Sequence, residues 1–220
     1  MKQILFFLTL GGALFLSACS KDDAPEPALN ETVLLETDYT KDEGYLWIGR
    51  EGEEVASEIV NDTYNLIYLG KSGVYFTTFA SMIPDTAMHV ALESSLRMNS
   101  TNLENHSLSS GGIVWGVDPS IPGKDFRFLI NNEGEFNISG YPDGENFTSY
   151  QEWTSHEAVQ STDYNILRIE LHNHQLQFFI NGTEVFSMDA PNAGKLDHFG
   201  YLAFDESYLQ SKYFKVSTFE

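Results

Sequence analysis

The feature that most constrains this chain is an alternation of apolar and polar residues with a period of two, broken by short runs of Gly, Asn and Asp. Successive side chains of a strand point to opposite faces, so a half-buried strand writes period two into its sequence. Met88, Val90, Leu92, Leu96 and Met98 fall on one side, with His89, Glu93, Arg97 and small residues on the other. Phe126, Phe128 and Ile130 enclose Arg127 and Leu129, and Asn131-Asn132-Glu133-Gly134 then predicts a turn before Phe136 and Ile138 restart the pattern. Leu167, Ile169 and Leu171 alternate with Arg168 and Glu170, and Leu176, Phe178 and Ile180 follow a polar turn. Asn181-Gly182 is the strongest short hairpin signal, because both residues tolerate positive φ. Helical periodicity is confined to Ser155–Gln160, one or two turns at most. Short strands with almost no helix predict an all-β chain: a jelly-roll β-sandwich of two antiparallel sheets.

The first residues carry a different signal. Lys2 precedes an apolar run from Ile4 to Leu16, too short for a stable membrane span and the length of a signal-peptide core. The run ends in Leu16-Ser17-Ala18-Cys19, which resembles the bacterial lipobox; cleavage before Cys19 and lipidation of its thiol are what that resemblance implies. Cys19 is the only cysteine, so it has no disulfide partner within the chain. An ordinary secretory signal is the alternative. Ser20-Lys21-Asp22-Asp23 resembles the export signal of Bacteroidota-type lipoproteins, which implies a lipid anchor in the outer membrane and exposure at the cell surface. Ala24-Pro25-Glu26-Pro27 suits an extended tether. The expected organisation is a signal peptide over 1–18, a flexible tether over 19–29 and one domain over 30–220.

Twelve basic against 32 acidic residues give a net charge of −20. Such a field repels polyanions, which argues against nucleic acid as a partner. Aromatic residues at 14% supply enough apolar volume for a core.

From Ile113 to Phe219 the order of landmarks resembles the concanavalin A-like lectin/glucanase superfamily in its laminin-G-like branch. Gly111-Gly112-Ile113-Val114-Trp115 comes first, then Asp125-Phe126-Arg127-Phe128-Leu129-Ile130, Trp153-Thr154-Ser155 and Asn165-Ile166-Leu167-Arg168-Ile169-Glu170. Leu176-Gln177-Phe178-Phe179-Ile180-Asn181-Gly182 and Phe214-Lys215-Val216 complete the series. The resemblance implies two stacked sheets, one concave, with carbohydrate bound on the concave face or at its rim. Some members are plain spacers.

A family-16 glycosidase would carry Glu-x-Asp-x-(x)-Glu on one strand, aiming its carboxylates at one face. No such arrangement occurs; Glu51-Gly52-Glu53-Glu54 lacks the Asp and lies in a Gly-containing charged stretch. The pattern of the related 3-keto-glycoside hydrolases is looser, so that activity stays open, as does a structural or adhesive spacer. His172-Asn173-His174 lies where a hairpin turn is expected, with both rings free to face water, and is too small a set for zinc. No metal ligands and no cofactor are assigned, although calcium stays open because Asp118, Asp125 and Asp143 sit in acidic loops. Trp115 and Trp153 are expected in the core. The candidate glycan-binding residues are His89, Glu93, Arg97 and Arg127 on the polar faces of their strands, with Tyr141 and Tyr150 beside the loop Pro142–Phe147.

Overall fold

A computed structural model describes residues 30–71, 74–78, 83, 89–102, 109–191, 196–204 and 206–219. The signal segment, Cys19, the tether and Met88 lie outside the described residues. The described residues contain no α-helix and form two sheets in which every strand pairing is antiparallel. The nine-stranded sheet runs β13 (Thr183–Asp189), β12 (Gln175–Ile180), β11 (Asn165–His172), β6 (His89–Ser100), β15 (Ser207–Phe219), β4 (Tyr64–Tyr68), β3 (Val55–Ile59), β2 (Gly49–Glu51), with β1 (Glu31–Thr37) also on β15. The six-stranded sheet runs β10 (Thr148–Ser155), β9 (Glu135–Tyr141), β8 (Asp125–Asn131), β7 (Ser110–Trp115), β14 (Gly200–Phe204), β5 (Val74–Thr78).

The alternating apolar residues meet between the sheets. Phe126, Phe128 and Ile130 of β8 face Leu92 and Leu96 of β6 and Phe178 of β12 in one continuous core. Phe128 meets Phe178 of the other sheet at 5.3 Å and 73°, an edge-to-face contact that joins the sheets, and Phe136 of its own sheet at 6.5 Å and 89°. Trp115 is buried in the core, as expected, between Phe126 and Phe178. One polar knot is buried with it: the Tyr201 hydroxyl lies 2.7 Å from that of Tyr39, 2.7 Å from Ser211 Oγ and 2.9 Å from Ser94 Oγ. Burial pushes the Tyr201 phenol up to about 12 and those of Tyr39 and Tyr64 upward as well.

Turn chemistry sets the register. Asn181 and Gly182 take φ values of 52° and 80°, as the hairpin between β12 and β13 requires. Asn181 also ties neighbouring elements together, since its Oδ1 accepts from the Ile166 amide and its Nδ2 donates to the Ala158 carbonyl. The turn after Asn131 holds through Asn131 Oδ1, which accepts from the amides of Glu133 and Glu135. Ser155–Gln160 forms no helix. Ser155 closes β10, and the Val159 amide then donates to the His156 carbonyl in a single turn. Six residues are too few to repay helix nucleation without a packed face.

Candidate functional site: the recessed face of the six-stranded sheet

Side chains of the six-stranded sheet that point away from the core build a second surface. Val114, Leu129 and Leu202 are buried there, with Val74, Val117, Trp153 and Phe204 packed against them. No third layer of strands covers this face among the described residues. Gly112 lies in its middle, where a Cβ would run into the Phe128 carbonyl.

A cleft of about 420 Å³ crosses this face. Val74 and Phe76 of β5 form one wall with Phe204 of β14; Asp125 and Arg127 of β8 and Tyr141 of β9 form the other. Arg127 is only 7% exposed and Asp125 4%. Arg127 Nε donates to Asp125 Oδ1 at 2.8 Å and Nη2 to Oδ2 at 2.7 Å, a bidentate pair made possible because residues two apart on a strand share a face. The Arg127 guanidinium also lies between two rings, 5.0 Å from Tyr141 and 5.5 Å from Phe204. On the same face Ser139 Oγ donates to Asn137 Oδ1 at 2.6 Å, and Ser149 Oγ is buried without a hydrogen-bond partner.

Two loops close one end. Gly123 and Gly144, at φ values of 82° and 84°, approach so closely that a Cβ on either would meet the other loop's backbone. Asp143 holds the second loop by accepting from the amides of Glu145 (2.9 Å) and Asn146 (2.8 Å) and from Asn146 Nδ2 (2.7 Å). These donors, the Asn146 side chain first, lower its carboxyl to about 2. The loop presents Phe147, 57% exposed, with its ring 5.5 Å from that of Tyr141.

The structure divides the sequence candidates between opposite sides of the sandwich. Arg127 and Tyr141 border the cleft. His89, Glu93 and Arg97 lie on the outward face of the nine-stranded sheet, so no single groove holds all four strand residues, and period two alone could not assign strands to sheets. There they are engaged internally. His89 Nδ1 is 2.8 Å from His172 Nδ1, and Glu93 accepts from Arg168 Nη1 and from the Tyr213 hydroxyl, both at 2.9 Å. Arg97 Nε donates to Gln210 Oε1 at 3.0 Å, and its guanidinium lies 4.8 Å from the Tyr164 ring. Tyr150 turns towards the core instead, half-buried against Phe126, and burial raises its phenol. His172, half-buried, meets His89, and the turn itself is Asn173-His174, at φ values of 48° and 68°.

Sequence reasoning missed Phe76, Phe204, Phe147, Trp153 and the placement of Asp125. A signal for the recessed face existed: Val74-Tyr75-Phe76, Tyr201-Leu202-Ala203-Phe204 and Phe128-Leu129-Ile130 are apolar without interruption, the mark of strands shielded on both faces. Trp153 packs on the recessed face and not in the main core. Two bulges in β10, between Ser149 and Gln151 and between Gln151 and Thr154, break the period that would have shown its direction.

The outward positions of β8 are Asp125, Arg127, Leu129 and Asn131, which is not a catalytic carboxylate series. On neighbouring β9 the outward carboxylate is Glu135, six residues along from Tyr141, which pairs with Asp125. At ~3.3 Å per residue the two acids stand ~20 Å apart along the strand, whereas glycosidase pairs stand ~5–9.5 Å apart. For calcium, Asp118 accepts from Ser120 and pairs with Lys124, Asp125 is held by Arg127, and Asp143 binds its own loop. The three do not converge, and no group of three or more His, Cys, Asp or Glu side chains suited to a metal occurs among the described residues.

The two-sheet architecture recurs in solved structures. An endo-β-1,3-glucanase from Pyrococcus furiosus superposes with a TM-score of 0.60 at 8% identity, covering 88% of this chain and 99% of that one. The fold is a concanavalin A-like jelly roll. A glycoside hydrolase family 16 endo-glucanase from Bacteroides ovatus gives a TM-score of 0.55 at 10% identity, covering 84% of this chain and 100% of that one. The CBM2 module of the evolved Dit protein of Lactobacillus casei BL23 phage J-1 gives 0.58 at 7% identity, covering 87% and 97%. At these identities the likeness is one of fold. No protein-family model matches the sequence, and comparison with curated proteins finds no match.

Proposed function

We propose that the jelly roll is the carbohydrate-binding domain of a surface lipoprotein and holds an oligo- or polysaccharide in the cleft across the six-stranded sheet. The observation that carries this reading is the cleft itself: a recess of about 420 Å³ walled by aromatic rings, with a guanidinium at its side and an exposed ring, Phe147, at its rim. Pyranose rings have apolar faces that pack on flat side chains and hydroxyls that need donors and acceptors, and the cleft supplies both. Solved jelly rolls of this shape include sugar-degrading enzymes and a carbohydrate-binding module. The separation of Asp125 from Glu135 does not suit the paired-carboxylate mechanism of hydrolysis.

A glycan array probed with residues 30–220, followed by calorimetry, tests the reading. Open, wet grooves give dissociation constants on the order of micromolar to millimolar, and such binding is the expected result. Heat with no released reducing sugar supports a binding module. Released sugar transfers the assignment to a hydrolase, and neither heat nor product leaves a spacer. The lipid anchor is tested separately: Cys19→Ser should abolish acyl labelling and membrane retention in the full chain, because the acyl chains provide the anchoring energy.

A further inference from the structure

We infer that the cleft selects uncharged glycans and rejects sulfated or uronate-bearing ones, and that Asp125 sets this selectivity; the inference rests on the carbohydrate-binding reading above. Arg127 is the cation lining the cleft, and an exposed guanidinium there would be a natural partner for a sulfate ester or a carboxylate. Its anion-binding fork is already taken. Nε and Nη2 point at the two oxygens of Asp125, both residues are buried, and the rings of Tyr141 and Phe204 flank the guanidinium. The pair presents no net charge to a ligand. Nη1 has no protein partner among the described residues and can donate to a sugar hydroxyl, which is the contact that an uncharged glycan offers.

A second observation points the same way. A separate notch, lined by Glu51, Glu53 and Glu54, also touches Val74, so acidic side chains stand beside this edge of the cleft. The loops at its other end carry Asp118 and Asp143, and Lys124 beside them is paired with Asp118. With a net charge of −20 on the whole chain, a polyanion approaching the cleft meets repulsion from both ends. An uncharged polymer meets none.

The test is calorimetry of the full chain against matched oligosaccharides: neutral gluco-, xylo-, manno- and N-acetylglucosamine oligomers beside sulfated and uronate ones. Wild type is expected to bind a neutral oligomer at least about tenfold more tightly than any anionic one. Raising sodium chloride from about 0.05 to about 0.5 M should change that affinity less than about twofold, since no charge is neutralised on binding. Asp125→Asn frees the guanidinium and should bring measurable, salt-sensitive binding of the anionic oligomers. Tight or strongly salt-dependent binding of an anionic oligomer by wild type overturns this inference and leaves the carbohydrate-binding reading standing. Binding of neither class overturns both. The wild-type comparison and its salt dependence decide the matter even if Asp125→Asn does not fold.

Discussion

Arg127 shows what the burial of one residue changes. As a polar residue alternating with Phe126 and Phe128 it would be expected on a solvated face, where truncation to alanine costs little. Instead it is buried in a bidentate pair, and Arg127→Ala leaves the Asp125 carboxylate buried and unpaired, at a cost of about 3–5 kcal/mol. Phe128→Ala, which opens a cavity between the sheets, should cost a similar ~3–5 kcal/mol. Replacing both partners, as in Asp125→Asn with Arg127→Met, should cost clearly less than Arg127→Ala. Denaturant unfolding of these variants measures it; a near-neutral Arg127→Ala would contradict the buried pair. The direction of the Arg127 side chain was legible in the sequence. Its burial was not, because that depends on Phe204 of β14 and Tyr141 of β9, brought beside it only by the sheet.

At the scale of elements, β8, β9, β11 and β12 were legible because their core residues recur with a period of two and a turn with Asn or Gly follows or closes each of them. β10 was not. Its bulges reverse the facing of successive residues, so that Tyr150 turns inward while Trp153 turns outward, the opposite of what the loop and landmark positions suggested. Sheet membership was equally hidden. β6 and β8 carry the same pattern, yet lie in different sheets with their polar faces on opposite sides of the molecule. Truncations around the loop between β9 and β10 separate binding from packing. Phe147→Ala together with Tyr141→Ala should weaken glycan binding several-fold, and Phe147→Ala alone should leave the melting temperature nearly unchanged because the ring is exposed. Tyr150→Ala should leave affinity close to wild type and lower stability by about 1–3 kcal/mol through lost packing on Phe126. Calorimetry and thermal melting on the same samples check both; full affinity in the Phe147→Ala, Tyr141→Ala variant would remove the loop from the site.

For the whole molecule, the fold class follows from the absence of helical period together with strands at close spacing. The buried Tyr39–Tyr201–Ser94–Ser211 knot had no such signal, because its members come from distant parts of the chain. That knot gives the domain an alkaline limit. Burial raises the Tyr201 phenol to about 12 and moves Tyr39 and Tyr64 the same way, so the folded state holds these protons more tightly than the unfolded chain, where tyrosine titrates near ~10. The stability they contribute is complete below pH ~10; the part held by Tyr201 is lost as pH rises through about 12, and Tyr39 and Tyr64 act in the same direction. Phenolate absorbance should therefore rise cooperatively with unfolding; smooth titration of every tyrosine near pH 10 in a folded protein would contradict it. The central claim, that glycan is held by the recessed face of the six-stranded sheet, is tested most directly by mapping backbone amide chemical shifts of residues 30–220 during titration with a binding oligosaccharide. The account predicts shifts along β8, β9 and β14 and in the loops 116–124 and 141–147, with β6 and β11 unmoved. Shifts centred on His89, Glu93, Arg97 and Arg168 would place the site on the opposite face and contradict it.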